Sequence, residues 1–120
     1  MIVTGTILKV IDNSGARYAQ CLKILRNQKY AKIGDKIIIT VKKATPNKKV
    51  KTHQIHKALI VRNSRYARRK DGSYIKWIQG ACVLINKQNA PIGKRILGPI
   101  SKELRNMGHL KIISIASIAL

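Results

Sequence analysis

The sequence predicts a mostly β fold, one small β-barrel followed by a short, partly helical C-terminal region. Three observations carry that expectation. Ile occurs 20 times in 120 residues, and a side chain branched at Cβ fits a pleated strand better than a helix. Lys36 to Lys43 alternates: Ile37, Ile39 and Val41 point one way, while Lys36, Thr40 and Lys42 share the other face with Ile38. That is the period of a strand with one buried face. Turn-forming residues separate the apolar runs.

Taken in order, Thr4–Ile11 reads as the first strand. Asp12-Asn13-Ser14-Gly15 follows as a tight turn, because Asn and Gly tolerate positive φ. Tyr18–Leu25 is the second strand, and Gly34-Asp35 precedes the third at Lys36–Lys43. Lys57–Arg62 is the fourth. Asp71-Gly72 is a hairpin signal between Arg62–Lys70 and Tyr74–Ile78, and Ala81–Asn86 is the last barrel strand. Several of these runs are apolar on both faces, as a small closed barrel with something packed on its outside requires.

Pro91, Gly93, Gly98 and Pro99 mark a long irregular stretch. Ser101 can cap a short helix, Glu103 lies in its first turn where the dipole favours an anion, and Gly108 can end it. Leu104 and Met107 would form its apolar edge. Lys111–Ile115 reads as a further strand. With no internal repeat and no dividing linker, residues 1–120 are expected to form one domain, the barrel over about 1–90 and the C-terminal region over about 91–120.

Charge bounds the function. There are 25 Lys and Arg against 4 Asp and Glu, a formal net charge of +21. Such a chain repels itself and calls for a polyanion nearby. A hydrophobic share of 45% argues against a disordered basic tail. The acids Asp12, Asp35, Asp71 and Glu103 are far apart in sequence and leave little for general acid–base work. Cys21 and Cys82 each sit inside an apolar run and read as buried free thiols. Ile112 to Leu120, the longest uncharged apolar stretch, falls far short of the ~20 residues a spanning helix needs. No membrane partner is expected, and the first residues lack a signal-peptide pattern.

The basic residues cluster. The first stretch, 42–51, holds Lys42, Lys43, Lys48, Lys49 and Lys51 with no acid, and Pro46 blocks regular pairing. The second, 62–70, holds Arg62, Arg65, Arg68, Arg69 and Lys70, again with no acid. It favours Arg although the chain has 17 Lys and 8 Arg. Arg forks onto phosphate oxygens and stacks on bases. Tyr66 could stack on a base or could prop the hairpin; the sequence leaves both open. A smaller group is Lys94-Arg95, with Lys102 and Arg105 following. Two acid-free runs in so basic a chain form the footprint of a nucleic-acid binder. RNA is favoured over DNA because no predicted helix is long enough to read a major groove.

Other chemistry fails on composition. His53, His56 and His109 have no neighbouring carboxylate in sequence, so they read as surface histidines near phosphate rather than a zinc site. Pro91-Ile92-Gly93-Lys94 ends like a phosphate loop, but Gln88 occupies the position where that motif needs its first Gly. Ser14 and Ser101 lack His and acid partners. No catalytic constellation, cofactor or metal is expected, and the chain is not expected to be an enzyme.

Several motifs together resemble one family. Val10-Ile11-Asp12-Asn13-Ser14-Gly15-Ala16-Arg17 resembles the opening turn of the universal large-subunit ribosomal protein family L-fourteen. So do Gly34-Asp35 with its Ile-rich strand, Lys43-Ala44-Thr45-Pro46, Ala58-Leu59-Ile60-Val61, Asp71-Gly72 and Ala81-Cys82-Val83-Leu84. The end is similar as well: Pro91-Ile92-Gly93-Lys94-Arg95-Ile96-Leu97-Gly98-Pro99, Glu103-Leu104-Arg105 and Lys111-Ile112-Ile113-Ser114. The resemblance runs in order along essentially the whole chain. Departures are Trp77 for the usual Phe or Tyr, Gly80 for Asn or Thr, which removes a side-chain hydrogen-bonding group from a turn, Lys94 for Thr, and the ending Ser117-Ile118-Ala119-Leu120.

The resemblance implies a five-stranded β-barrel with a projecting β-ribbon and a small helical C-terminal part. It implies a structural constituent of the large ribosomal subunit that binds large-subunit ribosomal RNA beside neighbouring ribosomal proteins. It further implies a face toward small-subunit ribosomal RNA across an intersubunit bridge, and docking of a subunit-silencing factor. The residues expected on ribosomal RNA are Arg17, Lys42, Lys43, Lys48, Lys49, Lys51, Arg62, Arg65, Arg68, Arg69, Lys70 and Arg105. Those expected on the subunit interface or a docked factor are Lys94, Arg95 and Lys111.

Compartment is read from composition and the first strand. Ile and Lys are favoured by AT-rich coding, and Gly5-Thr6-Ile7-Leu8-Lys9-Val10 looks closer to mitochondrial members than to plastid ones. The chain starts at the family's own first strand, which leaves no room for a cleaved import sequence. The expectation is a mitochondrial ribosome in the matrix, with the bacterial cytoplasm as the alternative. A rival function, a free-standing cold-shock-like RNA chaperone, needs a ladder of exposed aromatics. The chain has no Phe, and its four Tyr and one Trp are scattered. An RNA-modifying enzyme lacks candidate acids and metal ligands.

Overall fold

The computed structural model describes residues 2–26 and 28–120. Along the chain run β1 (Ile7–Val10), β2 (Ala16–Ile24), β3 (Lys36–Ala44), β4 (Ile55–Arg62), β5 (Ala67–Arg68), β6 (Tyr74–Ile75), β7 (Ala81–Ile85), β8 (Ile96–Ile100), α1 (Glu103–Asn106), α2 (Leu110–Ile115) and β9 (Ala116–Ala119). Five strands close into a barrel in the order β1-β2-β3-β4-β7. All neighbours are antiparallel except the closing pair, where β1 runs parallel to β7 with Lys9 opposite Ala81 and Val10 opposite Cys82. The N–H of Lys9 donates to the Gly80 carbonyl at 3.2 Å and that of Ile11 to Cys82 at 3.2 Å, so the seam is bonded. Closure leaves the barrel no free strand edge.

The strand period sorts the apolar side chains into two cores. Leu8, Val10, Ala19, Cys21, Ile37, Ile39, Val41, Ala58, Ile60, Cys82 and Leu84 fill the barrel. The alternate residues of β4 and β7 (Leu59, Val61, Ala81, Val83 and Ile85) face outward, into a second core with Ile96, Ile100, Leu104 and Ile112. The C-terminal region therefore covers the outer face of β4 and β7. That is why these two strands are apolar on both faces, while β3, with one outer face open, alternates. Both cysteines are free and buried.

The first turn is built as its residues dictate. Asp12 Oδ1 accepts from the Ser14 N–H at 3.2 Å and the Ser14 hydroxyl at 2.6 Å. Gly15 takes φ 112°, where an L side chain is strained. Asp12 Oδ2 accepts the Leu84 N–H at 3.1 Å, so one buried carboxylate ties the turn to β7. Burial raises its pKa, against the lowering effect of the Ser14 and Leu84 hydrogen bonds.

Four expectations are corrected in the C-terminal region. Ser101 does not cap α1: its buried hydroxyl accepts the Trp77 indole N–H at 2.9 Å, and Lys102 holds the cap position without a side-chain hydrogen bond. Leu104 is buried as expected, but Met107 is half exposed. Residues 111–115 are helical rather than extended. The Ile113 N–H donates back to the His109 carbonyl at 3.2 Å, and burying Ile112 in the outer core outweighs the strand preference of the Ile run. The strand comes one step later, as β9, and pairs in parallel with β8. Finally, 91–99 is not irregular throughout. Ile96–Ile100 is β8, with a register shift between Ile96 and Pro99 that accommodates Gly98 and Pro99.

Candidate nucleic-acid interface

The acids explain the surface. Asp12 and Asp35 are buried. Asp35 accepts the Lys32 N–H at 2.8 Å and pairs with Arg26 at 3.1 Å. Glu103 pairs with Arg69. Asp71 caps its hairpin turn by accepting from Ser73, which lowers its pKa. Each acid thus serves the fold, and, Arg26 apart, the exposed basic residues described are left without matching counter-charges.

The first basic stretch begins on β3 and continues as the loop to β4. Lys42, Lys43, Lys48, Lys49 and Lys51 are all exposed. Lys43 Nζ lies 6.0 Å from the centre of the Tyr18 ring. The loop folds back on the first turn: Thr45 N–H donates to the Gly15 carbonyl at 2.7 Å and Val50 N–H to Ser14 at 3.3 Å. This brings Lys48 beside Arg17 and Lys9, which line one groove with Asn13 and Leu97. Asn13 also anchors the next basic pair. Its Oδ1 accepts the N–H of Lys94 and of Arg95, and its own N–H donates to the Arg95 carbonyl at 3.2 Å. Lys94 and Arg95, both exposed, therefore adjoin the same turn. Lys111, also exposed, lies on α2, which packs against α1, β8 and β9.

The second stretch forms the ribbon. β5 pairs with β6, Ala67 opposite Ile75 and Arg68 opposite Tyr74. Arg65, Arg68 and Lys70 are exposed, as is Arg105 on α1. Arg62 and Arg69 are only partly exposed and have internal partners. Arg62 Nε donates to the Pro99 carbonyl at 2.7 Å, and its guanidinium lies 5.2 Å from the Trp77 ring centre. Burial lowers its pKa. Arg69 donates to Glu103 and to the Leu120 carbonyl, which fastens the ribbon to the C-terminal region. Tyr66 meets Tyr74 edge to face, with Lys76 over its ring, so it props the ribbon while staying exposed.

Sequence reasoning missed two contributions. The sequence marks Asn13 as a turn residue, and the fold makes it also the anchor of Lys94 and Arg95. Tyr30 and Lys32 were not singled out, yet they share a groove with Arg65, Tyr66 and Arg68; the signal was an aromatic residue set among lysines in Lys29-Tyr30-Ala31-Lys32. No group of three metal-ligating side chains occurs among the described residues, and His56 is hydrogen-bonded to Gln54 at 3.0 Å. No described helix is long and apolar enough to cross a membrane. The family model for ribosomal protein L14p/L23e matches residues 1–120.

Proposed function

From the premise that the chain belongs to the ribosomal protein L14p/L23e family, we propose that its exposed basic surfaces bind large-subunit ribosomal RNA. Membership makes it a structural component of the large ribosomal subunit, not an enzyme. The observation that carries the RNA reading is the disposition of the acids. All four are engaged within the fold, so phosphates are the natural counter-charge for the surface of a chain of net +21.

Arg17, Lys42, Lys43, Lys48, Lys49 and Lys51 form one contact region around the first turn. Arg65, Arg68, Lys70 and Arg105 form another around the ribbon. Arg62 and Arg69 border it while bracing the fold. Lys94, Arg95 and Lys111 face the small subunit across a bridge and meet a factor that keeps free large subunits from joining. The likeness of Gly5-Thr6-Ile7-Leu8-Lys9-Val10 to mitochondrial members favours a mitochondrial ribosome, with a low-GC bacterial ribosome as the alternative, and sedimentation of organelle lysate checks that assignment.

The test of RNA binding is the salt dependence of affinity for a large-subunit ribosomal RNA fragment. Arg68→Ala should weaken binding similarly across RNA sequences and reduce the log–log salt slope by about one. Sequence-selective loss with an unchanged slope overturns the phosphate assignment.

A further inference from the structure

A groove of about 410 Å³ lies beside the first turn, within the usual size of a small-ligand site. Its walls come from segments far apart in sequence, each fixed by the main chain. Lys9 on β1 is the cross-strand partner of Tyr18 on β2. Leu97 on β8 is drawn in by its N–H, which donates to the Ile11 carbonyl at 2.7 Å. Lys48 is carried in by the loop after β3, through the bonds from Thr45 to Gly15 and from Val50 to Ser14. Its stem rests on Gly15, where an added Cβ would lie 2.3 Å from the Lys48 Cβ. Arg17, next to Tyr18 on β2, completes the rim.

Two features of this groove call for one kind of ligand. Lys9, Arg17 and Lys48 are exposed cations around it. The acid that borders it, Asp12, is buried, and both its oxygens accept from Ser14 and Leu84. Three like charges on one rim favour an anion. Between them stands apolar surface, with Leu97 61% and Tyr18 36% exposed. Phosphate alone would satisfy the cations and leave Tyr18 and Leu97 in water. A ligand with both a charge and an apolar face covers both.

We infer that this groove receives one unstacked nucleotide of the RNA, its base against Tyr18 and Leu97 and its flanking phosphates on Lys9, Arg17 and Lys48. The inference rests on the ribosomal RNA reading above and adds to it a site for a base. Every base has a π-face, so the contact gives affinity without choosing among bases. Lys43 Nζ, 6.0 Å from the centre of the Tyr18 ring, adds positive charge beside it. The walls are set by main-chain bonds, so little ordering cost falls on the protein when the nucleotide enters.

The experiment uses the full chain and three RNA hairpins, read by fluorescence anisotropy at fixed salt. One carries a single bulged uridine, one an abasic residue at the bulge, and one no bulge. The first two share a backbone, so the difference between them reads the base. Loss of the base should weaken binding roughly ten-fold. Tyr18→Ala and Leu97→Ala should each bring that difference below about three-fold. Arg17→Ala should weaken both bulged hairpins by the same factor. With 5-iodouridine at the bulge, irradiation should attach the RNA at Tyr18, located by mass spectrometry. Equal binding of the uridine and abasic hairpins, or a difference unmoved by both Tyr18→Ala and Leu97→Ala, overturns the groove assignment and leaves the RNA reading intact. Attachment on the ribbon instead of at Tyr18 does the same. Failure to bind these hairpins and the large-subunit fragment alike overturns both.

Discussion

Asn13 holds Lys94 in place: its Oδ1 accepts the Lys94 main-chain N–H at 2.8 Å and, with the same oxygen, the Arg95 N–H at 3.1 Å. A side chain in the first turn thus shapes a segment some 80 residues later, |i−j| being 81 and 82.

Removing that oxygen should loosen the segment without unfolding the barrel. Asn13→Ala is expected to cost about 1 kcal/mol, because the freed N–H groups are exposed and water can replace part of the loss. Hydrogen exchange at the Lys94 and Arg95 amides should accelerate. Asn13→Asp keeps an acceptor and should exchange close to the wild-type rate.

The exposed cations of the same segment bear on the proposed subunit face. Lys94→Glu with Arg95→Glu should leave the protein in assembled large subunits while slowing subunit joining, since charges at such a rim tune association rate. Absence of the variant from large subunits on a sucrose gradient would instead assign both residues to assembly contacts.

Gly80 has a packing reason. A Cβ there would lie 2.8 Å from Leu8 Cδ2, and Leu8 is fully buried with nowhere to retreat. The Gly80 carbonyl also accepts the Lys9 N–H at the barrel seam. Gly80→Ala should therefore destabilise by about 1–3 kcal/mol, read as a lower urea midpoint with an unchanged slope. The turn is thus satisfied through the main chain, where the sequence suggested only a lost side-chain group.

His109 should make stability fall on acidification. Partial burial lowers its pKa, with Lys36 adding repulsion. The unfolded chain then takes the proton first. Its contribution is present above the ordinary value of 6.5 and is lost as pH falls from there through the lowered folded value. Between pH 7.5 and pH 5.5 the thermal midpoint of the wild type should drop relative to that of His109→Gln.

Much of the barrel was legible because its signals are local. Alternation at Ile37, Ile39 and Val41 sets which face is buried, and Asp12-Asn13-Ser14-Gly15 carries its own turn chemistry. Even the outer layer was visible, in strands apolar on both faces. The C-terminal region was read less well. Lys111–Ile115 is short and β-branched, and its helix is stabilised by Ile112 entering a core formed by β4, β7 and β8, which no local window contains.

The same division runs through the candidate site. The sequence by itself determined that the chain is strongly basic, that its charge clusters in two acid-free stretches, and that acids are too few to neutralise it. Only the tertiary structure decided which cations remain free. Arg62 and Arg69 look like their neighbours Arg65 and Arg68, yet they find Pro99 and Glu103, at sequence separations of 37 and 34. Composition and period are properties of the chain, whereas the partner of a long side chain depends on which distant segment the fold brings within hydrogen-bonding distance.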